Sequence, residues 1–244
     1  MKSLAAAISF LTRLPVGRLA RFDAADIARS AGWFPAVGLL LGAIGGAAAW
    51  LLREHLPPAL VAAILVALDA LLTGGLHFDG LADTADGFGG GKEREDVLRI
   101  MRDHAIGSYG GTALALLVAL KVVAYSALLG REHWMPAIVL IPAIGRWSIL
   151  LLTAALPYAR QTASVVREMG KSSLVWGTLT LALALVGSGL WRAGAAAGAT
   201  VAVSACFGLY CRRRIGGITG DTLGANLQLC ECAALIAFLW TGAV

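Results

Sequence analysis

Apolar runs of about twenty residues recur along this 244-residue chain, at roughly 33–52, 57–76, 108–130, 134–157, 173–191, 194–211 and 223–242. A run of that length crosses the ~30 Å hydrocarbon core of a bilayer as one α-helix. Inside lipid, every backbone N–H and C=O must be satisfied within the protein, which leaves only helices or a closed barrel. The runs are continuous rather than alternating, so a barrel is excluded. The expected fold is all-α: a polytopic helical membrane bundle of about seven transmembrane helices forming a single domain over 1–244. Composition agrees, with 58% hydrophobic residues, 14% charged residues and a mean hydropathy of +0.76.

The charges fall between the runs in a pattern. Counted along the chain, the segments outside the runs carry 5, 1, 4, 1, 3, 1 and 3 Lys or Arg. By the positive-inside rule this alternation puts the N-terminus and every charge-rich loop in the cytoplasm and the C-terminus outside. The location expected is the cytoplasmic (inner) membrane of a prokaryote. The sequence pI near 9.3 is therefore an orientation signal, and nucleic acid is not an expected partner, because no aromatic-interleaved basic patch exists. The opening MKSLAAAISFLTRLPVGR is too short and too early broken, by Arg13 and Pro15, for a cleaved leader. It reads as an amphipathic helix in the interface, with Lys2, Arg13, Arg18 and Arg21 at the headgroups. The four cysteines, Cys206, Cys211, Cys230 and Cys232, form no CxxC pair; they read as small hydrophobes rather than zinc ligands.

Against this apolar background, Gly75–Gly111 holds seven of the 15 acidic residues: Asp79, Asp83, Asp86, Glu93, Glu95, Asp96 and Asp103. Asp79, Asp83 and Asp86 are spaced i, i+4, i+7, which stacks them on one face of a helix. If the second run continues past His77, they form a ladder at its cytoplasmic end. Their repulsion calls for a cation, and carboxylate oxygens suit Mg²⁺. Gly87, Gly89, Gly90 and Gly91 are expected to break the helix and to let backbone approach a ligand. GFGGGK is not a P-loop, being one residue short and carrying Glu93 where Ser or Thr is required. The acidic spacing is not that of an EF-hand. A short helix is expected over 93–104, closed by Asp103 and His104. Asp103 reads either as a further metal ligand or as a partner of Arg99 or Arg102.

A second polar cluster, GGITGDTLGANLQLCE (216–231), places Asp221 at the mouth of the last run, with Thr222, Asn226, Gln228 and Glu231 leading into it. It reads as a second contribution to a metal or phosphate site, or as a capped helix start with Thr219 or Asp221 as the cap. Asp69, Lys121, Arg146 and Glu231 lie within runs, where an unpaired charge costs roughly 2.5–3.5 kcal/mol on insertion scales. Asp69 and Lys121 read as snorkelling or internally paired. Arg146 is too deep to snorkel and reads as facing a polar cavity that holds a phosphate.

HFDGLADTADGFGGG, IMRDHAIGSYG and GGITGDTLGA with its downstream Glu231, together with SFLTRLPV and GRW, resemble in order the cobalamin synthase family, the adenosylcobinamide-GDP ribazoletransferases. The resemblance implies Mg²⁺-dependent transfer from adenosylcobinamide-GDP to α-ribazole or its 5′-phosphate, with release of GMP, at the cytoplasmic membrane. It implies Asp79, Asp83, Asp86 and Asp221 for metal, and Arg146, Arg160, Gly89, Gly90, Thr222, Asn226 and Glu231 for substrate or phosphate. His77, Asp103 and His104 remain rivals for the proton-accepting group, and Arg212–Arg214 serve either anionic substrate groups or topology alone. Expected partners are the two substrates and the bilayer, with room for a homo-oligomer or a complex with other nucleotide-loop assembly enzymes. Asp83-x-x-Asp86-Gly is similar to the opening of the CDP-alcohol phosphotransferase motif, the rest of which is absent. An ion or metabolite transporter is the alternative from another class, opposed by the position of the acids at one membrane face.

Overall fold

The computed structural model describes residues 2–18, 22–103, 105–160, 165–169, 171–186 and 190–241. The helices among them are α1 (Lys2–Leu11), α2 (Ala24–Ser30), α3 (Phe34–Leu52), α4 (Pro58–Thr73), α5 (Leu76–Gly90), α6 (Arg94–Ile100), α7 (Ser108–Leu129), α8 (Trp134–Ala155), α9 (Val165–Glu168), α10 (Lys171–Val186), α11 (Leu190–Ile215) and α12 (Gly220–Trp240). The only extended pairing among the described residues is an isolated bridge between Tyr158 and Ile218.

The all-α membrane class holds, and the count of seven is not confirmed. Among the described residues five helices are long and apolar enough to cross a membrane, ending with α12, and a sixth is reached by joining α4 and α5 across a 92° bend. The bend has a local cause. Gly74 and Gly75 are both left-handed, at φ 65° and 73°, a conformation that glycine adopts without the steric cost borne by other residues. The second run therefore does not continue straight past His77 as expected; it turns, and α5 lies across the first turns of α7 and α12. The fifth expected span, 173–191, corresponds to α10, of which 16 residues are described, and runs on into 187–189, which lie outside the described residues.

Two helices form the hub. α8 and α12 are buried over most of their length, whereas α7 and α11 turn large apolar side chains such as Leu116, Val123 and Leu209 outward. α3 reaches α8 through glycines at i, i+4 and i+8: a Cβ at Gly38 or Gly42 would sit within 2.4 Å of α8 backbone, and one at Gly46 would strike Met135 Sδ at 2.8 Å. Small residues at that spacing let two membrane helices pack backbone to backbone. Trp50, Trp191 and Trp240 are all well exposed and stand at the same end of the bundle, as interfacial tryptophans do. The charge-rich segments stand at the other end. α1 is more than an interfacial float: Ala7 and Leu11 belong to the main core, and Lys2 pairs with Asp26 on α2. Arg21 lies outside the described residues.

The four intramembrane charges find one another. Lys121 Nζ on α7 donates to Glu231 Oε2 (2.6 Å) and Gln228 Oε1 on α12, Arg146 on α8 donates to the other oxygen of Glu231, and Arg146 Nη2 reaches Asp69 Oδ1 on α4 at 3.3 Å. Two cations thus face two carboxylates, with Arg146, Lys121 and Glu231 almost fully buried. Arg146 and Glu231, read from the sequence as phosphate- or substrate-binding residues, face each other inside the bundle. Each is consumed by an internal ion pair, because an unmatched charge at that depth has no solvent to turn to. Asp69 and Lys121 are internally paired, one of the two readings the sequence allowed. Glu231→Gln leaves two buried cations against one carboxylate and is expected to cost about 3–5 kcal/mol, measured as a large drop in the thermal unfolding temperature of the detergent-solubilised protein.

Candidate active site

α5 carries the acidic ladder. Its helical geometry keeps Asp79, Asp83 and Asp86 on successive turns of one side, but they do different work. Asp86 is buried and directed at the start of α7, where its two carboxylate oxygens accept from the backbone N–H of Gly107 (2.7 Å) and Gly110 (2.8 Å). A carboxylate at a helix N-terminus satisfies orphan amides and complements the macrodipole. Gly107 and Gly110 are needed there, since a Cβ on either would fall within 2.4 Å of an Asp86 oxygen. The expectation of Asp86 as a metal ligand is thus met by a structural carboxylate that pins α7 to α5. Asp79 is exposed and Asp83 half-buried, and neither carboxylate has a hydrogen-bond or ion-pair partner among the described residues.

The second polar cluster meets the ladder. Thr219 caps α12 in a reciprocal arrangement with Thr222, each hydroxyl accepting from the other's backbone N–H, so the Thr222 side chain is spent on the cap rather than presented to a substrate. Asn226 is buried and donates to Ser148 O and Ser204 Oγ, which likewise places it inside the bundle. Asp221 is the charged residue of this cluster that reaches the site. α5 and α12 touch where both are glycine: a Cβ at Gly80 would lie 2.8 Å from Asp221 O, and one at Gly224 would lie 3.3 Å from His77 Cα. That approach brings Asp221 into the field of Asp83, together with Asp79 and Asp86 and opposed by Arg160. Arg160 Nη2 donates to Asp221 Oδ2 at 2.8 Å.

Cavities open on both sides of this contact. One of about 150 Å³ is walled by His77, Asp79, Gly80, Asp221 and Gly224. A larger one of about 700 Å³ shares Phe10, Leu76 and Asp79 with it and adds Thr12, Arg13, Thr73 and Gly74. A third, of about 380 Å³, holds Tyr158 and Arg160 and shares Val166 and Met169 with the first. His77 is 3% exposed and its Nδ1 has no hydrogen-bond partner. Asp103 is exposed, with Oδ1 accepting from Ala105 N–H, and His104 lies outside the described residues. Gly89 and Gly90 are within α5, which runs unbroken to Gly90. Gly89 gives room to the Tyr109 ring and Gly90 lies against Ile100, so these glycines serve helix packing instead of breaking the helix.

Among the described residues no three His, Cys, Asp or Glu side chains converge as a metal site. Asp79 and Asp83, one turn apart and unpartnered, and Asp221, brought up by α12 and paired with Arg160, are carboxylates of the type that hard divalent cations take. Sequence reasoning missed Arg94 and the structural role of Arg214, which it read as serving anionic substrate groups or topology. Arg214 ties α11 to the end of α5 by donating to Phe88 O and Gly91 O, and Arg94 donates to Ile215 O and Ala159 O. No periodicity marks either one; both serve chain segments more than sixty residues distant.

Fold and cavity define a polytopic helical membrane protein with a carboxylate-lined site at the charged end of its bundle. Residues 3–239 match the family model of cobalamin-5-phosphate synthase, and the chain belongs to that family. It is 39% identical over 247 residues to the adenosylcobinamide-GDP ribazoletransferase of Ralstonia nicotianae, covering 98% of this chain and 96% of that one. It is 40% identical over 245 residues to the protein of the same name from Klebsiella pneumoniae subsp. pneumoniae, covering 98% and 100%, and 35% identical to that from Clostridium botulinum, covering 95% of each. No solved structure matches the chain.

The division of labour on α5 is open to measurement. Asp86→Asn is expected to lower the unfolding temperature, through loss of about 1–3 kcal/mol of charge-assisted bonding, whereas Asp83→Asn is expected to hold or raise it by relieving repulsion.

Proposed function

We propose that this protein transfers the adenosylcobinamide-phosphate group of adenosylcobinamide-GDP to α-ribazole or its 5′-phosphate and releases GMP. The observation that carries the proposal is the meeting of α5 and α12 at Gly80 and Gly224, which sets His77, Asp79 and Asp221 on one cavity wall in a chain similar end to end to relatives named for that transfer. A ribazole hydroxyl attacks the phosphorus on the cobinamide side of the diphosphate. The new O–P bond forms as the bridging P–O bond breaks, GMP leaves with the bridging oxygen, and the hydroxyl proton passes to a base.

Of the three rivals for that base, His77 has the supporting geometry: a buried ring nitrogen with no partner, on the wall shared with Asp79 and Asp221. Asp79, Asp83 and Asp221 are the residues that would hold Mg²⁺, which when bound neutralises charge on the phosphoryl oxygens and the departing phosphate. Arg160 holds Asp221 in place and lines the third cavity, available to an anionic substrate group.

The site end of the bundle is assigned to the cytoplasm, supported by the alternating Lys and Arg counts and by the need of a GDP-bearing substrate for cytoplasmic access. The membrane is then the inner one. Purified protein in lipid, given adenosylcobinamide-GDP and α-ribazole 5′-phosphate, is expected to release GMP and a corrinoid product only with Mg²⁺. Asp83→Asn is expected to abolish turnover while the protein inserts and elutes normally; near wild-type turnover of that variant with Mg²⁺ would remove Asp83 from the site.

A further inference from the structure

We propose that Arg13 binds the diphosphate of the nucleotide-bearing substrate, so that the N-terminal segment is part of the active site. This rests on the transferase reading above. Sequence alone consigned Arg13 to the lipid headgroups. In the structure it follows the end of α1 and packs against the α4–α5 corner as an exposed residue, its backbone N–H donating to Leu72 O at 2.7 Å.

Its side chain lies over Gly74. A Cβ there would sit 2.2 Å from Arg13 Nε, and φ at Gly74 is +65°, so both space and backbone conformation keep the position free for the guanidinium. Arg13 lines the cavity of about 700 Å³ together with Thr12, Thr73 and Asp79 and is the one cation among its lining residues. Among the described residues no carboxylate or other acceptor takes the guanidinium. The other guanidiniums around the site are occupied: Arg160 by Asp221, Arg94 by two carbonyls and Glu95, Arg214 by two carbonyls.

An unpartnered guanidinium on a polar cavity wall is a fork of donors shaped for phosphate oxygens. The cavity's size is that of a small-molecule site. Asp79 connects it to the smaller cavity of His77 and Asp221. A diphosphate lying along the Asp79 wall has Arg13 on one side and the carboxylate cluster on the other. Both substrates can carry phosphate, so the shared chemistry is a phosphate oxyanion. The diphosphate is favoured because it must pass the Asp79 wall whichever acceptor is used.

The test uses the full-length protein in lipid nanodiscs, with Arg13→Gln and Arg13→Lys. Equilibrium dialysis reads adenosylcobinamide-GDP binding without acceptor, and steady-state assays read KM and kcat with α-ribazole and with its 5′-phosphate. Arg13→Gln is expected to weaken binding and raise KM for adenosylcobinamide-GDP by about tenfold or more, equivalent to ~1.4 kcal/mol, equally with both acceptors. Arg13→Lys, which keeps the charge and the backbone contact, is expected to recover part of the loss. Unchanged binding in either correctly folded variant overturns the assignment. A defect confined to the phosphorylated acceptor also overturns it and moves Arg13 to that phosphate. If Arg13→Gln does not fold, Arg13→Lys decides: wild-type binding and wild-type KM for that variant count against a fork-shaped phosphate contact. Wild-type protein that binds adenosylcobinamide-GDP through Arg13 but releases no GMP refutes the transferase reading and leaves the contact standing.

Discussion

A buried set of four charges holds this bundle in register. Asp69, Lys121, Arg146 and Glu231 come from α4, α7, α8 and α12, and Glu231 bridges both cations. A charge in the hydrocarbon region is tolerated only when matched, so each of these helices can adopt only the rotation and depth that bring its charge to the others. Apolar packing against lipid supplies little of that discrimination, since side chains and lipid tails are alike in polarity. The glycine seam of α3 then lets a fifth helix close on α8.

The site follows from that register. Once Glu231 fixes α12, the start of the same helix places Asp221 and Gly224 where α5 crosses. The 92° corner at Gly74 and Gly75 swings α5 across the bundle end instead of letting it leave the membrane. Asp86 secures the other end of α5 to α7. What remains free on α5 is Asp79 and Asp83, the two carboxylates with no structural employment, and Asp79 lies where the cavities open. The same i, i+4, i+7 ladder therefore contains a structural member and two available ones.

Much of this was legible in the sequence. Run length and continuity gave a helical membrane bundle, because satisfying the backbone in lipid admits few solutions. The density of acids in 75–111 located the site, because an apolar chain has no other use for so many carboxylates. Some partners were not legible. Arg146, Glu231 and Asn226 looked like ligand-binding groups because a polar residue in an apolar run is anomalous either way. Sequence shows the anomaly and not the partner: Arg146 meets Glu231 85 residues away and Asp69 77 away, Glu231 meets Lys121 110 away, and Asn226 meets Ser148 78 away. The glycines of 87–91 looked like a helix break; α5 runs through Gly87, Gly89 and Gly90, which pack against α6 and Tyr109, and ends at Gly91, its C-cap. Arg13 looked like an interfacial anchor because its relation to Gly74 exists only after α4 has turned.

By itself the sequence determined the class of fold, the segregation of charge to alternate loops and the stretch in which the chemistry lies. These depend on local composition and on period, which are properties of consecutive residues. Only the tertiary structure decided which ionisable groups neutralise one another and which are left over. That is settled by pairings between helices distant in the chain, where the cost of an unmatched buried charge outweighs any local preference. Asp79, Asp83, His77 and Arg13 are in that sense the remainder, and Asp79, His77 and Arg13 line the cavities beside the paired Asp221.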